Sequence, residues 1–164
     1  MKFHLIRSVE IAGDKSKFKR GDFERLCTML TQDEKVDFQN VKLKNLDLNG
    51  LNLSNFNFRG TELKNMNFSG CNLEACIFEK AILIDCNFSD TNLKYSNFYE
   101  VKGIRSNFTN AQMIYSYLRW MQFESCIFHQ TNFSESLLTS TDFTNNIMSD
   151  NLFDYTEMSG LTFP

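Results

Sequence analysis

The sequence predicts a solenoid, a chain that bends at every fifth residue and coils about an axis. Three observations predict it. Residues 66–98 divide into MNFSG CNLEA CIFEK AILID CNFSD TNLKY SNF, with Phe or Leu third in every block. Taking those third residues as centres, the beat runs unbroken from 38 to 163, and its 26 centres comprise 13 Phe, 9 Leu, 3 Met and a single Gly, Gly103. The residue two before each centre is usually small or apolar, as at Val41, Cys71, Ala81, Cys86 and Thr91, and the remaining three are mostly polar. A helix repeats its apolar residues every ~3.6 positions and a strand every two, so neither explains a period of five.

The runs CNLEA, TNLKY, SNFYE and TDFTN match the A-(D/N)-L-x-x pattern, and over residues 36–163 the chain resembles the pentapeptide repeat family. That resemblance implies an all-β fold, a right-handed quadrilateral parallel β-helix with four pentapeptides per coil. Twenty residues per coil give about six coils, and at ~4.8 Å per coil a shaft of roughly 30 Å. Columns of centres taken every 20 residues then put like on like: Phe58, Phe78 and Phe98 in one, Phe68, Phe88, Phe108 and Phe128 in another. These phenylalanines are the expected core, each worth ~1.5–3 kcal/mol on burial. Gly103 interrupts the column of Leu63, Leu83 and Phe123. The missing side chain there predicts either a gap filled by Ile104 or another neighbour, or a kink.

Residues 1–35 lack the beat and read as an N-terminal cap on the β-helix of residues 36–164. KFHLIRSVEI has the character of a strand, and GDFERLCTMLTQ places Phe23, Leu26, Cys27 and Leu30 on one helical face with Asp22 as N-cap. Solenoids need polar-faced caps over their open ends. No helix is expected after residue 155, where Leu161 and Phe163 still keep the beat. By analogy with family members that join end to end, the C-terminal coil is expected to form a homodimer or to adjoin a further domain.

The chain has 164 residues and a formal net charge of −3, unevenly spread. Residues 1–72 hold 12 Lys/Arg against 9 Asp/Glu, and residues 73–164 hold 5 against 11, with no Lys or Arg after Arg119. So small a net charge does not argue for direct nucleic-acid binding. The charged start lacks the apolar stretch of a signal peptide, and no run approaches the ~18 apolar residues of a membrane span. With five cysteines and no dense spacing, the expected compartment is the cytoplasm, or a host cell reached through a specialised secretion system.

Catalysis finds no motif. His4 and His129 lie in different regions, and a Ser-His-Asp set drawn around His129 is expected by chance on a surface rich in Ser and Asp. Cys71, Cys76, Cys86 and Cys126 occupy the inward small position without the spacing of a metal site, and read as small core residues. Neither a metal nor a cofactor is expected.

The exceptions to the polar outside are more informative. Tyr95, Tyr99, Tyr115, Tyr117, Arg119, Trp120 and Tyr155 are outward positions, and they include the only Trp and all five Tyr. Tyr, Trp and Arg are enriched at binding hot spots, so these residues are the expected partner-binding face of a non-enzymatic interaction module. Tyrosine ladders that merely stiffen one side of the shaft are the competing explanation. The resemblance implies two settings. One is a bacterial effector or scaffold that binds a protein. The other is a DNA mimic acting on DNA gyrase, as in the quinolone-resistance members. The acidic distal coils suit the mimic, and the basic first half does not, since a duplex carries a charge every ~1.7 Å.

Overall fold

Each block of five turns a corner because its last residue takes a left-handed backbone. From Asn40 to Gly160, φ at every fifth residue lies between 48° and 72°, with Asn145 the one exception. A positive φ at the third residue is what a type II turn demands, and the turns close accordingly: Val41 N–H donates to the Phe38 carbonyl at 3.3 Å and Ala81 N–H to that of Phe78 at 2.8 Å. Asn, Asp and Gly tolerate this conformation, which explains their frequency at the fifth position. Four corners return the chain above its starting point, so pairing advances by 20: Leu43↔Leu63, Leu63↔Leu83, Leu83↔Gly103 and Gly103↔Phe123 are all parallel.

The computed structural model describes residues 7–9, 15–29 and 34–164. Over the repeat it is a four-sided parallel β-solenoid of about six turns. Strand β1 (Arg7–Val9) pairs with β2 (Glu34–Val36). On the side of the Leu43 column lie β3 (Lys42–Lys44), β4 (Glu62–Lys64), β5 (Ile82–Ile84), β6 (Lys102–Ile104) and β8 (Gln122–Glu124), a five-stranded sheet with β3 at its edge. On the side of the Phe98 column, β7 (Tyr117–Arg119), β10 (Leu137–Thr139) and β12 (Glu157–Ser159) make three strands. β9 (Ile127–His129) and β11 (Ile147–Ser149) pair on a third side. Elsewhere the coils join through single bridges such as Asn72↔Asn92.

The expected core is the observed one. Phe58, Phe68, Phe78, Phe88, Phe98, Phe108 and Phe128 are fully buried. Rings one coil apart stack with centroids 5.1 Å apart for Phe58–Phe78, and 5.0 Å for both Phe88–Phe108 and Phe108–Phe128. Cys71, Cys76, Cys86 and Cys126 are buried thiols. Three of them donate to the carbonyl 23 residues back, Cys71 to Leu48, Cys76 to Leu53 and Cys86 to Leu63. Ser116, Thr131 and Thr156 do the same with hydroxyls. The inward small position is thus a hydrogen-bond donor, to the coil below in these cases and to the carbonyl three residues back at Thr61, Thr91, Ser96 and Ser136, which is why Cys, Ser and Thr recur there. Burial pushes the Cys71 and Cys126 thiols up to about 11 and Cys86 to about 12, and raises Cys76 too.

The asparagines before the centres have a related cause. The amide oxygen accepts the N–H two residues on, as Asn72 does from Glu74 at 3.2 Å, and at several of them the amide N–H₂ donates to the side chain 20 positions earlier, as Asn92 does to Asn72 and Asn72 to Asn52, both at 2.9 Å. One side chain therefore holds the turn and ties two coils.

At Gly103 the pairing carries through in register on both sides. Its φ is not in the left-handed region; the glycine is there for space. A Cβ at 103 would lie 2.3 Å from Phe123 Cδ1. The expected filler was Ile104 or another neighbour, and it is the Phe123 ring, from the coil above. The kink has no counterpart in the pairing.

Over the first coil lie a 3-10 turn, Lys15–Lys17, and helix α1, Arg20–Met29. Phe23 of α1 is buried and stacks on Phe38 at 5.0 Å, with Phe18 edge-on to both. Asp22 is not the N-cap. It is the third helical residue, and its carboxylate reaches back to accept the N–H of Lys19 at 2.8 Å, the return arm of a capping box. Of the expected strand, residues 2–11, only 7–9 are among the described residues, and of the expected helix, residues 21–32, only 21–29. Among the described residues no helix is long and apolar enough to cross a membrane.

Candidate interaction face

The seven outward residues singled out in the sequence belong to one side of the four. Corner residues 95, 115 and 155 bound it on one edge, corner residue 120 on the other, and 99, 117 and 119 lie between, on the strand positions flanking the Phe98 column. The side chains reach outward because the corner backbone is left-handed: φ is 59° at Tyr95, 57° at Tyr115, 56° at Trp120 and 54° at Tyr155. For a bulky aromatic this conformation costs on the order of 1 kcal/mol. The fold accepts that cost at four places on one side.

Stacking orders six of the seven. Tyr95 and Tyr115, one coil apart, lie parallel with centroids 5.2 Å apart and 5° between planes. Tyr99 stacks on Tyr117 at 5.7 Å and meets Trp120 at 5.4 Å. The Arg119 guanidinium sits 5.5 Å from the Trp120 ring centroid and 6.0 Å from that of Tyr117, inside cation–π range. Its Nε donates to Thr139 Oγ1 at 2.8 Å. Tyr155 does not join them. It stands two coils above Tyr115 with Glu135 between, and is 94% exposed.

The rings remain accessible, Tyr95 at 54%, Tyr115 at 47% and Trp120 at 44%. Acidic neighbours hold the phenols: a hydrogen bond to Glu135 raises the pKa of Tyr115, and partial desolvation followed by a hydrogen bond to Glu100 raises that of Tyr99. Thr139, Glu135 and Glu100 were not foreseen. The 20-residue column would have found two of them, since Thr139 stands above Arg119 and Glu135 above Tyr115.

His129 does not form a relay. Its Nδ1 lies 2.7 Å from Ser149 Oγ and 3.5 Å from Asp150 Oδ2, so both partners share one ring nitrogen. A triad needs the nucleophile and the acid on opposite nitrogens. His4 lies outside the described residues. Among the described residues no group of three or more His, Cys, Asp or Glu could hold a metal.

Fold and face define a repeat solenoid that carries a clustered aromatic surface. A family model for pentapeptide repeats matches in eight copies over residues 37–74, 71–102 and 81–119, half of the chain. The protein belongs to the pentapeptide repeat family. Among solved structures it is similar to Rfr23 from the cyanobacterium Cyanothece 51142, at 16% identity over 78% of this chain and 91% of that one, with a TM-score of 0.45. It is also similar to HetL, involved in heterocyst differentiation regulation in Nostoc sp. strain PCC 7120, at 15% identity over 90% and 98% with a TM-score of 0.43. A third is QnrB1, a plasmid-mediated fluoroquinolone resistance protein, at 14% identity over 79% and 88% with a TM-score of 0.41. No curated protein matches.

Proposed function

We propose that this protein is a non-enzymatic interaction module that binds a protein partner through the face of Tyr95, Tyr99, Tyr115, Tyr117, Arg119 and Trp120. One observation carries the reading: the only Trp and all five Tyr of the chain share one side of the solenoid, at accessible positions, several on strained backbone. Rigid aromatic rings offer large contact area with little entropy to lose on binding, and contiguous exposed rings mark contact surfaces. A Tyr115→Ala/Trp120→Ala variant should lose the partners that the wild type captures from bacterial or host-cell lysate while keeping its fold. Capture unchanged by the variant would refute the face.

DNA mimicry directed at gyrase is the weaker reading. After Arg119, Glu124 and Asp142 lie on the side of the Leu43 column, Asp154 on that of Phe133, Glu157 with the aromatic face, and Asp150 and Glu135 at corners. Charge dispersed over the surface in this way imitates a duplex poorly. Supercoiling by gyrase should accordingly be unaffected by micromolar protein.

A further inference from the structure

Side chains of the described part of the N-terminal cap donate to carbonyls of the first coil on three of its sides. Four carbonyls, five residues apart, face away from the second coil at equivalent places: those of Asp37, Lys42, Asp47 and Asn52. Lys15 Nζ donates to the Asp37 carbonyl. Arg20 Nη1 donates to that of Asp47 at 3.0 Å, and Cys27 Sγ to that of Asn52 at 2.9 Å. Among the described residues, no donor reaches the carbonyl of Lys42.

Lys42 opens β3, the edge strand of the five-stranded sheet. Val41 C=O and Asn45 N–H bond upward, to Glu62 and Lys64 of the second coil. Alternation along a strand then turns the N–H and C=O of Lys42 and Lys44 the other way. They face a cleft of about 760 Å³ between β3 and the 3-10 turn at Lys15–Lys17. Among the described residues no strand pairs with this edge, and an edge of that kind is a template for another strand. The cleft is also basic. Lys15, Lys42, Lys44 and Lys64 line it, with Glu62 as the one acid, paired to Lys42 at 2.7 Å. Lys44 and Lys64 stand in register on neighbouring strands, and neither makes an ion pair among the described residues. Two like charges in register destabilise a strand pair, and a bound acid would relieve them.

We propose that this cleft is a second binding site, which takes an extended acidic peptide as an added strand on the open edge of β3. Main-chain hydrogen bonds to Lys42 and Lys44 supply the affinity, and the lysine side chains select acidic residues at alternate positions. The site lies on a different side of the solenoid from the aromatic face and does not depend on it.

Fluorescence anisotropy with a labelled Glu-Val-Glu-Val-Glu peptide tests this. The protein should bind it, and the Lys-Val-Lys-Val-Lys counterpart should not bind. A Lys44→Glu/Lys64→Glu variant, with a melting curve like that of the wild type, should bind about tenfold more weakly or worse, whereas Trp120→Ala should bind normally. The decisive arm uses wild-type protein and the same peptide N-methylated at every backbone amide, which keeps the side-chain charges and cannot donate to β3 in either a parallel or an antiparallel pairing. Loss of binding supports the added strand. Retained binding, or tighter binding of a single-stranded oligothymidylate than of the acidic peptide, overturns the proposal.

Discussion

The ring of Phe123 occupies the space that a side chain at Gly103, one coil below, would need. The two residues are neighbours in the Leu43 column and in register on β6 and β8, so a deficit in one coil is met by an excess in the next. The core is filled column by column, and its fit is a property of stacked pairs.

Gly103→Ala should therefore destabilise the protein, although alanine normally stiffens a chain usefully. The added methyl must displace an aromatic ring, at a cost of about 1–3 kcal/mol. Gly103→Leu combined with Phe123→Leu should recover most of the loss, because it restores the leucine ladder of Leu63 and Leu83. Urea midpoints for the single and double variants measure the coupling. A Gly103→Ala midpoint equal to that of the wild type would show that the ring is free to move.

The corner tyrosines separate stability from binding. Tyr155 makes no ring contact among the described residues and sits at φ 54°, a backbone that suits asparagine better. Tyr155→Asn should raise stability by roughly 1 kcal/mol. At Tyr115 the same substitution gains the backbone and loses the stack on Tyr95, so its melting temperature should stay near that of the wild type while partner capture falls. A Tyr155→Asn protein that melts lower would mean that contacts of the tyrosine side chain outweigh left-handed strain at these corners.

The buried thiols give the protein an alkaline limit. Their folded-state pKa values lie above those of free cysteine, about 11 for Cys71 and about 12 for Cys86. In that case the unfolded chain gives up its protons first as pH rises. The contribution is complete below about pH 9 and is lost as pH climbs through the folded values, by up to ~1.4 kcal/mol per thiol per pH unit. Cys71→Ser/Cys86→Ser keeps a donor for the Leu48 and Leu63 carbonyls and removes both ionisations. Under reducing conditions, its unfolding midpoint should fall less steeply between pH 9 and about 10.5 than that of the wild type. Parallel slopes would refute the assignment.

Architecture was legible in the sequence because the period of five is enforced at every turn of the core. Leu73, Phe78 and Leu83 face inward as the beat requires, and the aromatic residues fall on one side as the columns imply. Less legible was what depends on partners 20 or 23 positions away. Nothing local announces that Cys71 donates to Leu48, that Phe123 fills the place of Gly103, or that Glu135 holds Tyr115. The cap was harder still, for it has no repeat to fix its register. Asp22 has the chemistry of an N-cap and lies three residues too late for it, since the helix begins at Arg20. The lysine cleft went unseen because Lys15, Lys44 and Lys64 meet only once the cap is set against the first coil.

The left-handed corner also governs what may be inserted. One corner turns the chain through a quarter circle, and every block of five contributes one. Lengthening the shaft by a single block between residues 70 and 90 would keep the inward beat, re-pair the columns across one coil, and swing the Tyr95–Trp120 face by a right angle relative to the lysine cleft. Four blocks would lift it by one level and leave its bearing unchanged. Rotational phase between the two surfaces is thus countable in residues, and one placed block sets it.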